Sequence, residues 1–302
     1  MKTESALTVG IATRNRRELS LRALDSVVDQ LGPADELLVV DTGSTDGTYE
    51  AVEAWLAERC PAGRLLLEPG AGVSRARNAL LAEARAPVVC FLDDDGTADP
   101  GWLEAIRRAW KTTPERTAVI GGPLFPDWGA PRPAWLPDYL LFVLSILDLG
   151  RDRLRLNQEP GGGYVWAGNM TVRTDVAREL GGFDLSFGTR PEAPMDRGEE
   201  QELQRRLAAA GYDTWYEPTV VARHYVPAER LSEEYFAAQL RVRAAAEADE
   251  AGGPLRVLDR LLRAAARYAL AHASGRAERR TLARLELTYG WNLFRARLAL
   301  RG

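Results

Sequence analysis

Short apolar runs alternate with helical patterns through the first hundred residues, and this alternation limits the fold more than any other feature of the chain. The runs at 7–12, 36–40, 64–68 and 87–92 are apolar on both faces, as buried parallel strands are. Apolar residues between them recur at helical spacing, with a third helix predicted at 73–83. This order predicts an α/β fold with a mostly parallel central sheet flanked by helices.

Polar residues come directly after three of these strands, where packing does not require them. Thr13 and Asn15 follow the first strand, Asp41 follows the second, and three consecutive carboxylates at 93–95 follow the fourth. In parallel sheets, ligands bind outside the carboxyl ends of the strands. The sequence therefore predicts one ligand site at this edge of the sheet.

The carboxylates of Asp93 and Asp95 indicate a divalent metal, because two like charges this close repel each other unless a cation joins them. Oxygen ligands favour Mg²⁺ or Mn²⁺, and such an ion completes its shell with water and phosphate oxygens. The pair therefore points to a bound nucleotide. A solvated acidic turn is the alternative interpretation.

Asp41 and Arg77 are further candidates for contacts with a nucleotide. Asp41 can accept a hydrogen bond from an N–H of a base, or it can close an Asx turn or cap a helix. Arg77, near the start of the third predicted helix, can face a phosphate or a base, or it can be a solubilising group at the surface.

The rest of the chain continues the α/β pattern and ends in helices. Residues 123–160 are rich in Pro and Trp, which is typical of an irregular or loosely helical segment. Further helices and one strand leading to His224 are predicted, with the helices at 100–110, 174–180, 199–210, 255–272 and 277–300 and the strand at 215–221.

Several motifs in a fixed order carry a resemblance to a known family. They are 39–48 (VVDTGSTDGT), 76–79 (ARNA), 91–95 (FLDDD), 168–170 (GNM), 181–184 (GGFD) and 198–207 (GEEQELQRRL). Together with Thr13, they resemble family 2 of the glycosyltransferases, and the resemblance covers residues 5–226. It implies the GT-A fold of nucleotide-diphospho-sugar transferases.

The resemblance implies a metal-dependent reaction with a nucleotide-sugar. A sugar would pass from the donor, with UDP as the implied nucleotide, to an acceptor hydroxyl with inversion and with Mn²⁺ or Mg²⁺ as cofactor. Asp95 would bind the metal, and His224 is a candidate for a further ligand or for a structural histidine. The implied nucleotide-sugar contacts are Thr13, Asn15, Asp41, Arg77, Asp93 and Asp94.

Inversion in one displacement requires a base close to the acceptor hydroxyl. Glu199 and Glu200 stand where the family usually has Glu-Asp, and the second of these residues is normally the base. Glu200 is therefore the predicted base and Glu199 the alternative. Both carboxylates can also serve only to stabilise the amino terminus of a helix.

Trp166, Gly168 and Asn169 are placed like the acceptor-side loop of the family, where an aromatic ring can stack on a sugar. Trp166 can equally belong to the core. The resemblance does not identify the acceptor.

Charge is distributed unevenly along the chain. The net charge is −4, and residues 254–302 carry eleven arginines against three carboxylates, a net +8 that leaves −12 for residues 1–253. Such a basic segment suggests an anionic partner, either a phospholipid surface or a nucleic acid. We expect the basic carboxyl-terminal helices to make peripheral contact with a membrane, and we expect no nucleic acid as a partner. A homodimer is left open. A solvated helical face packed on the acidic body is the alternative.

Two domains and a cytoplasmic location are expected. The predicted GT-A domain is 1–226, with a nucleotide-binding half at 1–98 and an acceptor-binding half at 99–226, followed by a helical extension at 227–302. Two cysteines are too few for a disulfide framework, and neither an export signal nor a membrane-spanning stretch is visible. The location expected is cytoplasmic, including the inner face of the membrane.

Two other classes compete with a glycosyltransferase. A nucleotidyltransferase would need a glycine-rich basic loop after the first strand, where this chain has Ala12-Thr13-Arg14-Asn15. A catalytically degenerate nucleotide-binding scaffold is the second alternative, and the presence of Asp95 and Glu200 argues against it.

Overall fold

The fold is built on a sheet of eight strands. In the computed structural model, which describes residues 6–70, 72–157, 163–189, 198–246, 254–273 and 277–299, the strands of this sheet lie in the order β3-β2-β1-β4-β9-β6-β10-β8. Their bounds are β1 Leu7–Thr13, β2 Glu36–Asp41, β3 Arg64–Leu67, β4 Val88–Asp93, β6 Thr117–Gly121, β8 Leu154–Arg155, β9 Asn169–Arg173 and β10 Asp213–Tyr216. Strands β5 Gly96–Ala98, β7 Leu124–Trp128 and β11 Ala222–Val226 form a second sheet in the order β5-β11-β7.

The amino-terminal half of the large sheet is parallel, and its strands end level with one another. Thr13 of β1 pairs with Asp41 of β2, and Ala12 pairs with Asp93 of β4. Strand β9 runs antiparallel to both β4 and β6. This register brings the polar residues that follow β1, β2 and β4 to one edge of the sheet.

Helices cover both faces of the sheet. Their bounds are α1 Arg17–Val28, α2 Thr48–Arg59, α3 Val73–Glu83, α4 Trp102–Thr112, α5 Thr174–Glu179 and α6 Glu199–Ala209. One buried cluster joins the sheet to α1, α2 and α4, and a second joins its other face to α3, α5 and α6. The strands are apolar on both faces because each face is buried. The predicted α/β fold with a mostly parallel sheet flanked by helices is confirmed.

The strand predicted at 215–221 is wrong, because only its first two residues lie in a strand and the rest form a turn that precedes β11. Strand β10 ends at Tyr216, the amide of Val220 donates to the carbonyl of Glu217 in a turn, and β11 begins at Ala222. Pro218 lies in this turn, where it has no amide to contribute to a ladder. As a result, His224 lies inside β11 rather than after a strand.

The chain divides into two compact units. The first comprises Met1–Asp127 and Ile146–Tyr225, and the second comprises Trp128–Ser145 and Val226–Gly302. The segment 128–145 therefore groups with the carboxyl-terminal residues, whereas the boundary predicted after residue 226 stays a prediction.

The second unit is helical. It contains a 3-10 helix at Asp138–Leu144 and the helices α7 Glu233–Ala246, α8 Pro254–Ala273 and α9 Ala277–Ala299. Trp135 packs edge-to-face on Phe236, with their ring centroids 5.1 Å apart, and Cζ of Arg243 lies 4.2 Å from the ring centroid of Phe142. In the part of the chain that the structure describes, no helix combines the length and the apolar character needed to cross a bilayer. Cys60 and Cys90 are free thiols.

Candidate active site

The carboxylates after β4 point to different partners. Asp94 is buried, and its Oδ2 accepts a hydrogen bond from the hydroxyl of Thr13 at 2.9 Å. Asp95 is also buried, and its Oδ1 lies 3.1 Å from Nδ1 of His224. Asp93, the last residue of β4, is only partly buried. The turn therefore directs Asp94 towards β1 and Asp95 towards His224.

Asp93, Asp95 and His224 form a group that can hold a metal ion, since one ligand atom from each lies within 4.8 Å of the others. Strand β11 brings the histidine there, because His224 pairs with Gly96, the residue after Asp95. The amide of Tyr225 also donates to the carbonyl of Asp95 at 2.8 Å. Two carboxylates and one imidazole suit a divalent ion such as Mn²⁺, so these residues fit the expected metal.

Arg16 is part of the site and was missed from the sequence. Its guanidinium lies 2.7 Å from Oδ1 of Asp94 and 2.7 Å from Oδ2 of Asp95. Burial alone would lower the pKa of Arg16, but the charges of these two carboxylates outweigh it and raise that pKa. Three adjacent carboxylates need a positive charge nearby, and this need indicates an arginine. The segment after β1 contains Arg14, Arg16 and Arg17, and the sequence alone does not show which of them reaches the carboxylates.

Burial raises the pKa of Asp94 to about 6, against the lowering effect of Arg16 and with a further raising effect from Asp95. With Thr13 and Arg16 both on its oxygens, Asp94 links β1, the start of α1 and the metal group. Its predicted contact with a nucleotide-sugar stays a prediction.

Asp41 closes a turn, which is one of the two roles that the sequence left open, and its contact with a base stays a prediction. Its Oδ1 accepts hydrogen bonds from the amides of Gly43 and Ser44, at 2.8 and 2.7 Å, so one oxygen closes a turn. The side chain is fully buried, and among the described residues its Oδ2 has no hydrogen-bond partner. A buried carboxylate oxygen without a donor is costly, so this atom favours a ligand that brings an N–H or O–H group.

Asn15 joins the loops after β1 and β2. It has a φ of 51°, in the left-handed region that asparagine tolerates better than most residues. Its side-chain Oδ1 accepts a hydrogen bond from the backbone amide of Thr45 at 2.7 Å, and the backbone amide of Asn15 donates to Ser44 Oγ at 2.9 Å. Asn15 thus holds the loop that follows Asp41.

Arg77 is buried and bridges two sides of the site, so it is not a solubilising surface group. One nitrogen lies 2.8 Å from Oδ1 of Asp93, and another lies 2.5 Å from Oε1 of Glu199. Helix α3 therefore connects the end of β4 with the start of α6. No described contact of Arg77 defines a base or phosphate position.

Glu199 and Glu200 begin α6 and are both buried. Burial, together with the charge of Glu199, raises the pKa of Glu200 to about 8, although Arg77 acts in the opposite direction. The two carboxylates therefore differ: Glu199 is paired with Arg77, and Glu200 holds its proton up to a pH near neutrality.

Gly168 and Asn169 lie at the same edge, where β9 begins. A side-chain carbon at Gly168 would lie 2.7 Å from Oδ2 of Asp93, so any larger residue here would displace this carboxylate. Asn169 is fully buried, and its Nδ2 donates to the carbonyls of Pro123 and Val220 while its Oδ1 accepts from Trp102. Both amide hydrogens are used in these bonds, so Asn169 holds the fold together at this point.

Trp166 is partly buried. Its ring packs against the first core cluster, and its Nε1 lies 3.4 Å from the carbonyl of Ile146. The core interpretation and the acceptor interpretation both fit a ring that is only partly covered.

Comparisons with known proteins show which family this chain resembles. The family model described as Glycosyl transferase family 2 matches residues 8–181. The glucosyl-dolichyl phosphate glucuronosyltransferase of Haloferax volcanii is 26% identical over 157 residues, which are 51% of this chain and 47% of that protein. The succinoglycan biosynthesis protein ExoM of Rhizobium meliloti is 26% identical over 231 residues, which are 75% of this chain and 69% of that protein. The match thus spans about half the length of the first relative.

Solved structures share the fold. The mannosyltransferase PcManGT from Pyrobaculum calidifontis, in complex with GDP-Man and Mn²⁺, superposes with a TM-score of 0.64 at 22% identity, covering 98% of this chain and 87% of that one. GalNAc-T7 with UDP, GalNAc and Mn²⁺ gives a TM-score of 0.57 at 15% identity, over 80% of this chain and 48% of that one. Since the family match takes in more than half of the chain, and the fold around its carboxylates is of the GT-A type, the chain belongs to family 2 of the glycosyl transferases.

Proposed function

We propose that this glycosyltransferase is metal-dependent and inverting, and that it transfers a sugar from a UDP-sugar to an acceptor hydroxyl in a single displacement. The observation that carries the proposal is the convergence of Asp93, Asp95 and His224 at the carboxyl edge of the sheet, where their ligand atoms lie within 4.8 Å of one another. A ligand set of this kind serves a diphosphate, because the ion it binds shares its remaining positions with phosphate oxygens.

The donor would lie along the edge formed by β1, β2 and β4. Oδ2 of Asp41 would accept an N–H of the base, which would give this buried oxygen a hydrogen-bond partner. Thr13, Asn15 and Asp94 hold this edge in shape, while Asp93 lies on the side of the ribose. The two structural neighbours carry GDP-Man and UDP with Mn²⁺, which supports a nucleotide-sugar and a divalent ion without choosing the base.

Asp95 and His224 would hold the metal, with Asp93 beside them. A divalent cation bound there supplies positive charge to the nucleoside diphosphate as it leaves. Arg16 contributes further positive charge at Asp95 and at the neighbouring Asp94.

Glu200 acts as the base in this proposal. The acceptor oxygen forms its bond to the anomeric carbon while the bond from that carbon to the diphosphate oxygen breaks, and the hydroxyl proton goes to the carboxylate of Glu200. Glu199 is less suited, because Arg77 holds its Oε1. Trp166 and Gly168 would lie on the acceptor side, and the backbone amide of Asn169 donates to the carbonyl of Trp166 at 3.1 Å.

The substitution Asp95→Asn tests the metal site. We expect UDP to raise the unfolding temperature of the protein only when Mn²⁺ is present, because a ligand that binds the folded state stabilises it. In Asp95→Asn, the affinity for UDP with Mn²⁺ should fall more than about tenfold, as measured by calorimetry.

Asp127→Asn provides a matched control, since Asp127 is a surface carboxylate paired with Arg22. Equal affinity of Asp95→Asn and the unchanged protein would overturn the metal assignment. Stabilisation by GDP or dTDP with Mn²⁺, but not by UDP, would overturn the choice of nucleotide and leave the metal site standing.

A further inference from the structure

Helix α8 has apolar side chains on two opposite faces, of which one is covered. On the inner face, Val257, Leu261 and Ala264 are buried. Gly290 of α9 packs against this face, since a side-chain carbon there would lie in van der Waals contact with Cα of Leu261, at 3.4 Å. The inner face therefore accounts for the packing of α8 within the second unit.

The outer face of α8 exposes leucine to solvent. Leu262 is 59% exposed and Leu270 is 72% exposed, and Ala266 between them is exposed as well. At about 100° per residue, these three positions form one stripe that lies opposite to the inner face. Burying the stripe would remove unfavourable apolar surface from water, whereas packing inside the second unit leaves it exposed.

Arginines lie along one side of this stripe. Arg260, Arg263 and Arg267 are exposed, and Asp259 is the single carboxylate among residues 254–273. Arg263 contacts Asp259 at 2.8 Å and Arg267 contacts Glu286 at 2.6 Å. The pair of Arg263 is exposed on both sides and contributes little, so this guanidinium can exchange carboxylate for phosphate at low cost. The pair of Arg267 is more firmly held, because the side chain of Glu286 is only 23% exposed.

We propose that the outer face of α8 binds an anionic phospholipid surface, with Leu262, Ala266 and Leu270 entering the interface and the neighbouring arginines contacting lipid phosphates. A helix that combines an apolar stripe with a basic flank lies in the plane of a membrane in this way. The helix is 20 residues long, which corresponds to about 30 Å in that plane. This inference concerns the second unit and does not depend on the chemistry proposed for the first.

A second copy of the chain fits the same face less well. A symmetric contact would place the same patch of each copy against the other, and so would bring the arginines of both copies together. Arginines brought close together in this way repel one another, whereas the phosphates of a lipid surface neutralise them. Charge complementarity therefore favours the lipid surface.

Sedimentation with vesicles tests the proposal. We expect the full chain to sediment with vesicles of phosphatidylcholine and phosphatidylglycerol at low salt, and to remain in the supernatant with phosphatidylcholine alone. Added salt should weaken binding, because it screens the arginines. The double substitution Leu262→Gln with Leu270→Gln should lower the partition coefficient about tenfold or more.

Two further variants make the test specific. Leu67→Gln is the matched control, because Leu67 is 60% exposed but lies in β3 of the first unit, and it should bind as the unchanged protein does. Arg260→Gln with Arg263→Gln should remove the preference for phosphatidylglycerol. Circular dichroism and thermal unfolding of each variant establish that it is folded.

Three results would overturn the proposal. The unchanged protein could fail to sediment with the anionic vesicles. The variant with Leu262→Gln and Leu270→Gln could sediment as completely as the unchanged protein. Light scattering could also show a dimer that the leucine substitutions dissociate, in which case a second copy covers this face.

Discussion

Arg77 gives different environments to two adjacent glutamates. Its guanidinium contacts Oε1 of Glu199 and Oδ1 of Asp93, while Glu200 is buried beside them. Burial favours the neutral form of Glu200 and raises its pKa to about 8, whereas Glu199 is engaged by the guanidinium. Glu199 and Glu200 therefore need not have the same function, although both are glutamates.

Glu200→Gln should abolish most of the turnover. If Glu200 takes the proton of the acceptor, kcat falls about 10²- to 10⁴-fold while the affinity for the donor stays unchanged. Steady-state kinetics and donor calorimetry measure the two quantities separately.

Glu199→Gln and Glu202→Gln are the comparisons for that experiment. Glu202 lies in the same turn of α6 and pairs with Arg206, so its substitution should leave kcat within about twofold. A loss of kcat that is greater in Glu199→Gln than in Glu200→Gln would identify Glu199 as the base.

The activity should depend on pH through Glu200. Because burial raises its pKa to about 8, the carboxylate is protonated at lower pH and cannot accept a proton. We expect kcat/KM to rise with pH and to level off above about 8, and Glu200→Gln to remove this dependence. A profile of kcat/KM that is flat between pH 6 and 9 would contradict the assignment.

The same group makes stability depend on pH in the opposite direction. The folded state holds the proton of Glu200 more tightly than the unfolded state does, since its pKa is raised above the ordinary 4.5. Its contribution to the free energy of unfolding is therefore full below pH 4.5 and is lost as the pH rises towards 8.

At the scale of elements, Asn169 connects strand β9 to two loops and a helix. Its amide group bonds to the carbonyls of Pro123 and Val220, and it accepts a hydrogen bond from Trp102 at the start of α4. All of these groups are buried, so each depends on the asparagine for a partner.

Asn169→Ala should lower the free energy of unfolding by about 3 kcal/mol, because it leaves buried polar groups without partners. Denaturant titration measures this change. Thr112→Ala, at the exposed end of α4, is the control and should change stability by less than about 0.5 kcal/mol. A loss of under about 1 kcal/mol in Asn169→Ala would mean that water or a local shift replaces the amide.

Much of the fold follows from the sequence because its first half is locally consistent. Strands β1, β2 and β4 are apolar on both faces, and each is followed by residues that a core does not need. The parallel sheet and the edge that carries the candidate site could therefore be predicted. The strand at 215–221 could not, since β-rich residues on both sides of Pro218 hide the turn between β10 and β11.

The partners of charged side chains could not be predicted, because they depend on contacts between distant parts of the chain. Arg77 meets Glu199 across 122 positions, and Arg16 meets Asp94 across 78. Local pattern gives the residue types for such pairs, whereas the fold decides which arginine reaches which carboxylate.

At the scale of the whole molecule, the second unit is discontinuous in sequence. Trp135 packs on Phe236, and Phe142 lies under Arg243, so the segment 128–145 has its partners beyond residue 226. Leu140, Val143 and Leu144 of this segment are buried in the full chain.

Truncation after residue 226 should therefore yield an aggregating protein. Removing 227–302 strips the apolar residues of the 3-10 helix of their cover, and exposed patches of this kind associate. Size-exclusion chromatography of residues 1–226, with the full chain as reference, measures the outcome. A monomeric 1–226 with the thermal stability of the full chain would contradict it.

The discontinuity also fixes an order of events on the ribosome. Segment 128–145 leaves the exit tunnel well before α7 has been translated, and at roughly 5–20 residues per second the delay over some 80 residues is on the order of ten seconds. During that interval the nascent chain presents Leu140, Val143 and Leu144 without their cover. Chaperone engagement in living cells should therefore be concentrated on this short stretch rather than on the strands of the large sheet.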